Sequence, residues 1–176
     1  LTAYARSKIS TEKELQNLRN LGNTKITCLR FATACGYSPN LRLDLVLNDF
    51  VATALTTKSI KILSDGSPWR PLIDVEDMSR ALYWSCFRDK GKPLEIINVG
   101  SPDWNYQIKK LAQSTKNVLE GKINIDINKN AAPDKRSYRV SFEKFYSLAP
   151  SIFTPKITLN ESIKRIYNGL INYSEE

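Results

Sequence analysis

The sequence predicts an α/β fold built from short, alternating elements, and three observations carry that expectation. Stretches with apolar residues at helical spacing (43–55, 75–87 and a run closing near Tyr173) are interleaved with apolar runs of strand length (25–31, 60–63 and 95–99). Glycine, asparagine and proline punctuate the joins. Two helix starts carry capping chemistry, Asp74-Val-Glu-Asp77 and Thr158-Leu-Asn-Glu161.

In chain order, the first helix is expected over 4–21, stopped by Gly22-Asn23. It starts within its first turn with no cap ahead of it, as a truncated product would. A strand at 25–31 leads into a loop holding Gly36, Pro39 and Asn40. Residues 43–55 form an amphipathic helix, 60–63 a short strand and Asp65-Gly66 a turn. Leu72-Ile73 is extended, and Asp74 caps a helix over 75–87, with Glu76 and Asp77 favourable near its positive end. A strand at 95–99 ends at Gly100, and Asn105 caps a helix to about Leu119. Alternation over 123–127 marks a half-buried strand. A polar loop, 128–135, leads into Ser137-Tyr-Arg-Val140. Ser141 then caps a short helix with Phe142, Phe145 and Leu148. The Thr158/Glu161 capping box opens the last helix.

Composition narrows the function classes. The chain has 176 residues with no histidine, so imidazole metal sites and Ser-His or Cys-His catalysis are excluded within it. The three cysteines show no Cys-x-x-Cys spacing, and Cys28 and Cys86 lie in apolar runs, as reduced thiols of a cytoplasmic protein do. No apolar run approaches the roughly eighteen residues that span a bilayer, so no membrane partner is expected. The net charge of +8 raises nucleic-acid binding as one reading. Its lysines are scattered through every segment, however, and neither an arginine-rich helix nor an aromatic-basic RNA signature occurs.

The chemistry begins at Tyr4-Ala-Arg-Ser-Lys8. This spacing places a phenol and an ammonium on one helical face, one turn apart. A free tyrosine, with a pKa of about 10, is a poor base at neutral pH, and a fixed positive charge beside it favours the phenolate. About one such pair is expected by chance in a lysine-rich chain with eight tyrosines, and Tyr106/Lys110 also matches. The context makes Tyr4/Lys8 more specific. Leu29-Arg-Phe-Ala-Thr-Ala-Cys-Gly36, then Asp65-Gly-Ser-Pro-Trp-Arg70-Pro-Leu-Ile-Asp74-Val-Glu-Asp77, then Asn98-Val-Gly100 follow it in order.

This series resembles the extended short-chain dehydrogenase/reductase family, specifically its NAD-dependent nucleotide-sugar epimerases and dehydratases, over nearly the whole chain. The resemblance implies a fold class: the C-terminal part of a Rossmann-type domain (1–36, with 72–100 returning to its sheet) plus a small mixed α/β nucleotide-sugar-binding domain (37–176). It implies Tyr4 as catalytic base and Lys8 as the group that tunes it and holds the nicotinamide ribose. Phe31 and Ala32 would line the nicotinamide, and Thr33 would face the substrate. Asn48 would border the nucleotide diphosphate, and Arg70 and Arg136 would grip it. Planar guanidinium forks suit phosphate oxygens better than ammonium groups do. The plainer readings are that Arg70 is a solvated turn residue and that Arg136 belongs to a basic loop. Many relatives carry histidine at Asp74, whose role as a helix cap is sufficient.

NAD or NADP is the implied cofactor of the intact enzyme. The family's glycine-rich pyrophosphate loop does not occur among the seven glycines here, so its full cofactor site is expected to need residues ahead of Leu1. The expected function is thus that of a fragment of a nucleotide-sugar epimerase or dehydratase, inactive alone, from a parent that is a homodimer. An exposed apolar edge would let the fragment self-associate. The alternatives are a non-catalytic nucleotide-sugar-binding module and, more remotely, a basic nucleic-acid binder.

Overall fold

A computed structural model describes residues 2–18, 20–131 and 137–173. Helix α1 (Ala3–Gln16) is capped after all: the Ala5 amide donates to Thr2 Oγ1 at 3.2 Å. It also ends earlier than expected. Asn17 closes it, and the Asn20 side chain accepts from the Gly22 amide at 2.9 Å in a turn where Gly22 takes φ +51°. Short polar side chains offer the backbone this alternative to a helix. None of α1's residues is buried, and Glu12 ties it down by accepting from Arg30 Nε at 2.8 Å.

Strand β1 (Ile26–Phe31) runs almost directly into β2 (Thr33–Cys35), with Ala32 between them. Helix α2 (Val46–Thr57) ends at left-handed Lys58, and β3 (Ser59–Ile62) follows. Next come β4 (Trp69–Asp74) and α3 (Val75–Phe87), the latter capped as expected by Asp74, whose Oδ1 accepts from the Glu76 amide at 2.9 Å. The remaining elements are β5 (Leu94–Val99), β6 (Asn105–Gln107), α4 (Ile108–Val118), β7 (Asn124–Ile127), α5 (Glu143–Leu148) and α6 (Leu159–Tyr173). The capping box of α6 forms in both directions: the Thr158 amide donates to Glu161 Oε2 at 2.8 Å, and the Glu161 amide to Thr158 Oγ1 at 3.3 Å.

Asn105 is a correction. It lies in β6, and its carboxamide grips Val140, accepting from the amide at 2.9 Å and donating to the carbonyl at 3.2 Å. The edge of β4 captures this segment as an antiparallel partner, so α4 starts only at Ile108.

Strand pairing explains why the chain has two cores. β1 pairs in parallel with β5, setting Phe31 opposite Val99, whereas β2 pairs in parallel with β4, setting Thr33 opposite Leu72. β3 and β7 form a third, parallel pair. One core gathers Ala32, Ile73, Trp84, Ile97, Val99, Phe142 and Phe145. The other gathers Leu47, Phe50, Ile60, Leu72, Leu111 and Ile163. Chain order and core membership part ways at α5, whose Phe145 packs in the first core with Trp84 of α3, although the flanking elements β7 and α6 serve the second core. The turn from Phe31 to Cys35 therefore sits where the sheet divides.

Candidate functional site

Beside that division lies an open cleft of about 890 Å³. The first turns of α2 give it Val46, Asp49 and Phe50, and β3 gives it Lys61 and Ile62. Thr33 enters from β2, Arg70 from β4 and Tyr138 from the segment after the undescribed residues. The cleft thus combines apolar lining with a few polar groups, as small-molecule sites do. Burial raises the Asp49 carboxyl above the usual carboxylate range.

Trp69 and Tyr138 both contact Arg70. Its Nη1 donates to the Trp69 carbonyl at 2.8 Å, and its guanidinium carbon lies 5.8 Å from the centre of the Tyr138 ring. Thr33 and Arg70, expected to serve one substrate, do line one cleft. Asn48 is 2% exposed, and both ends of its carboxamide are committed: Oδ1 accepts from the Gly36 amide, and Nδ2 donates to the Arg42 carbonyl, each at 3.0 Å. It braces the wall from behind. Arg136 lies outside the described residues.

Tyr4 and Lys8 share the outer face of α1, with the Lys8 Nζ 5.5 Å from the Tyr4 ring centre and Tyr4 71% exposed. Phe31 and Ala32 stand at the C-terminal end of β1, where the Ala32 amide donates to the Val99 carbonyl at 2.8 Å. A Cβ on Gly100 would lie 2.5 Å from the Phe142 ring and 3.1 Å from Ala32 Cβ, so glycine lets the two strand ends close on that ring. Open α/β sheets take ligands at the C-terminal ends of their strands. Among the cleft residues that sequence reasoning did not single out are Tyr138 and Asp49. Tyr138 had a faint signal, an aromatic in the Ser137-Tyr-Arg-Val140 run, and Asp49 had none.

The family model described as the NAD dependent epimerase/dehydratase family matches residues 1–100. This chain belongs to that family. UDP-glucuronate 4-epimerase of Thermodesulfobacterium geofontis is 25% identical over all of this chain and 51% of its own length. Among solved structures, UDP-glucose 4-epimerase of Thermotoga maritima with UDP-glucose superposes with a TM-score of 0.79 at 22% identity, over 99% of this chain and 55% of that one. UDP-N-acetylglucosamine 4-epimerase of Methanobrevibacter ruminantium, in complex with UDP-N-acetylmuramic acid, gives 0.77 at 22% identity, over 97% and 54%. This member of the epimerase/dehydratase family spans about half the length of the curated relative it matches. The structural likeness shows that it shares the Rossmann-type epimerase fold over that half.

Proposed function

We propose that this chain supplies the nucleotide-sugar cleft and the Tyr4–Lys8 helix of an NAD(P)-dependent nucleotide-sugar epimerase or dehydratase. The observation that carries the reading is the convergence of Thr33 and Arg70 on one cleft beside the C-terminal end of β1. In this reading Tyr4 takes the proton from a sugar hydroxyl, and the Lys8 ammonium stabilises the phenolate that does so. Thr33 faces the sugar. Arg70, with Arg136, neutralises the diphosphate through planar N–H pairs, and Asn48 holds the wall behind them.

Residues of the strand end would hold a nicotinamide: Ala32 carries little side chain there, and Phe31 offers a partly buried ring next to it. The chemistry such a cofactor supplies when bound is reversible hydride transfer at the carbon whose hydroxyl Tyr4 deprotonates. Residues 1–36 with 72–100 then form the cofactor side of the molecule, and the α2–α4–α6 core forms the sugar-nucleotide side.

The test is calorimetric titration of the chain with UDP-sugars and with NAD. A UDP-sugar should bind, and Arg70→Ala should weaken it by about 2 kcal/mol, the scale of a lost charge-assisted contact. Tight NAD binding by this chain alone would contradict the division of labour, and an unaffected Arg70→Ala variant would contradict the site.

A further inference from the structure

We propose that Tyr138 is a positioning residue for Arg70, its ring drawing the guanidinium into place so that the N–H groups address a diphosphate in the cleft. The inference rests on the nucleotide-sugar reading above. A cation within about 6 Å of an aromatic face is attracted by the ring's quadrupole, and the 5.8 Å separation lies inside that range. An attraction of this kind uses no N–H···O hydrogen bond, and N–H donors are the groups that match phosphate oxygens.

The backbone that carries Tyr138 is fixed by the protein itself. The Trp69 amide donates to Ser137 Oγ at 3.1 Å, and the Tyr138 amide donates to the Trp69 carbonyl at 3.3 Å. Two residues on, Asn105 clasps Val140 from both sides. Between these anchors the pairs alternate: Tyr138 meets Arg70, and the Arg139 guanidinium lies 4.7 Å from the centre of the Trp69 ring. Two cation–ring contacts thus fasten 138–139 to 69–70. Arg70 thus has the Tyr138 ring and the Trp69 carbonyl among its contacts. A long side chain ordered in advance gives up less freedom when it grips its ligand.

UDP is titrated into the wild-type chain and into Tyr138→Phe, Tyr138→Leu, Arg70→Gln and the Arg70→Gln/Tyr138→Leu double variant. Tyr138→Phe should bind within about two-fold of wild type, because the ring face is kept. Tyr138→Leu should bind about three- to ten-fold more weakly at an unchanged thermal midpoint, since Tyr138 is 49% exposed. On the Arg70→Gln background the same change should have no further effect, because the tyrosine acts through the arginine. Two results overturn the inference and leave the site reading standing: Tyr138→Leu weakening UDP equally with and without Arg70, or Tyr138→Phe losing as much as Tyr138→Leu. Absence of UDP binding, or Arg70→Gln binding as tightly as wild type, overturns both.

Discussion

Arg88 shows how much a single side chain can be asked to satisfy. It is 4% exposed, and its guanidinium donates to Thr27 Oγ1 at 2.7 Å, to the Lys90 carbonyl at 2.9 Å, and to the Ile26 and Pro93 carbonyls at 3.0 Å. Those groups belong to the start of β1 and to the turn entering β5, so one residue closes the end of the parallel pair opposite the site. Arg88→Met would remove a donor from three carbonyls, of which Pro93's still accepts from the Ile26 amide, at a cost of about 3 kcal/mol. A urea midpoint lowered at unchanged slope is the expected result, and an unmoved midpoint would refute the role. In sequence Arg88 is one more charge in the polar run Arg88-Asp-Lys-Gly-Lys92, and nothing marks it as buried. Asn48 was legible as important, yet its carboxamide faces inward, because only the folded loop brings Gly36 and Arg42 to it. Thr33 and Arg70 stood out as candidates because each lies in a contiguous motif that resembles the family's, and both line the cleft.

Among elements, those with local chemistry were the most legible. Asp74 and the Thr158/Glu161 pair cap their helices because the groups involved lie within a few residues of one another. Asn105 offered the same local signal and was misread, since a long-range partner, the edge of β4, outcompeted the helix for its backbone. The end of β5 depends on another such long-range fit. Phe142 is 1% exposed and its ring already fills the space where a Gly100 side chain would stand. Gly100→Ala should therefore destabilise by about 1–3 kcal/mol through overpacking, measured by thermal unfolding. A variant as stable as wild type would mean that Phe142 moves aside at little cost. If the strand end also frames the cofactor, the same substitution disturbs Ala32, 3.1 Å from the added carbon.

At the scale of the whole molecule, the first turn of α3 is the seam between the two cores. Asp74 Oδ2 accepts from Ser162 Oγ of α6 at 2.6 Å, and Asp77 accepts from the Lys156 and Ile157 amides at 3.0 and 3.1 Å. Glu76 completes the seam by pairing with Arg165. Burial raises the Asp74 carboxyl above its ordinary value of 3.8, the Ser162 and Glu76 hydrogen bonds offsetting part of the rise. The folded chain then holds more protons at Asp74 than the unfolded chain does between 3.8 and the raised value. Stability from this group is present below that window and is lost as pH rises through it. Lowering the pH from 7 toward the ordinary value of 3.8 should accordingly favour the wild type relative to Asp74→Asn in parallel denaturation curves; a constant difference would refute the coupling. Glu12 and Glu95 run the other way. The Arg30 hydrogen bond holds Glu12 below 4.5, and burial opposes the charge on Glu95 but the Lys144 ammonium and the Lys92 amide outweigh it. Their contributions are present above 4.5 and fall away in acid, as each carboxylate is protonated.

The sequence by itself determined the α/β class, the order of the longer elements, the family and the choice of Tyr4, Lys8, Thr33 and Arg70 as site candidates. Each of these is written in local periodicity, capping chemistry or a contiguous motif, which need no knowledge of what folds against them. Only the tertiary structure decided that Ala32 divides one extended stretch between two ladders, that α5 joins the first core, and that Tyr138 meets Arg70. The reason is common to all three. Each depends on backbone edges and ring faces that meet across tens of residues, and a one-dimensional pattern carries no record of which distant edge or ring will be there.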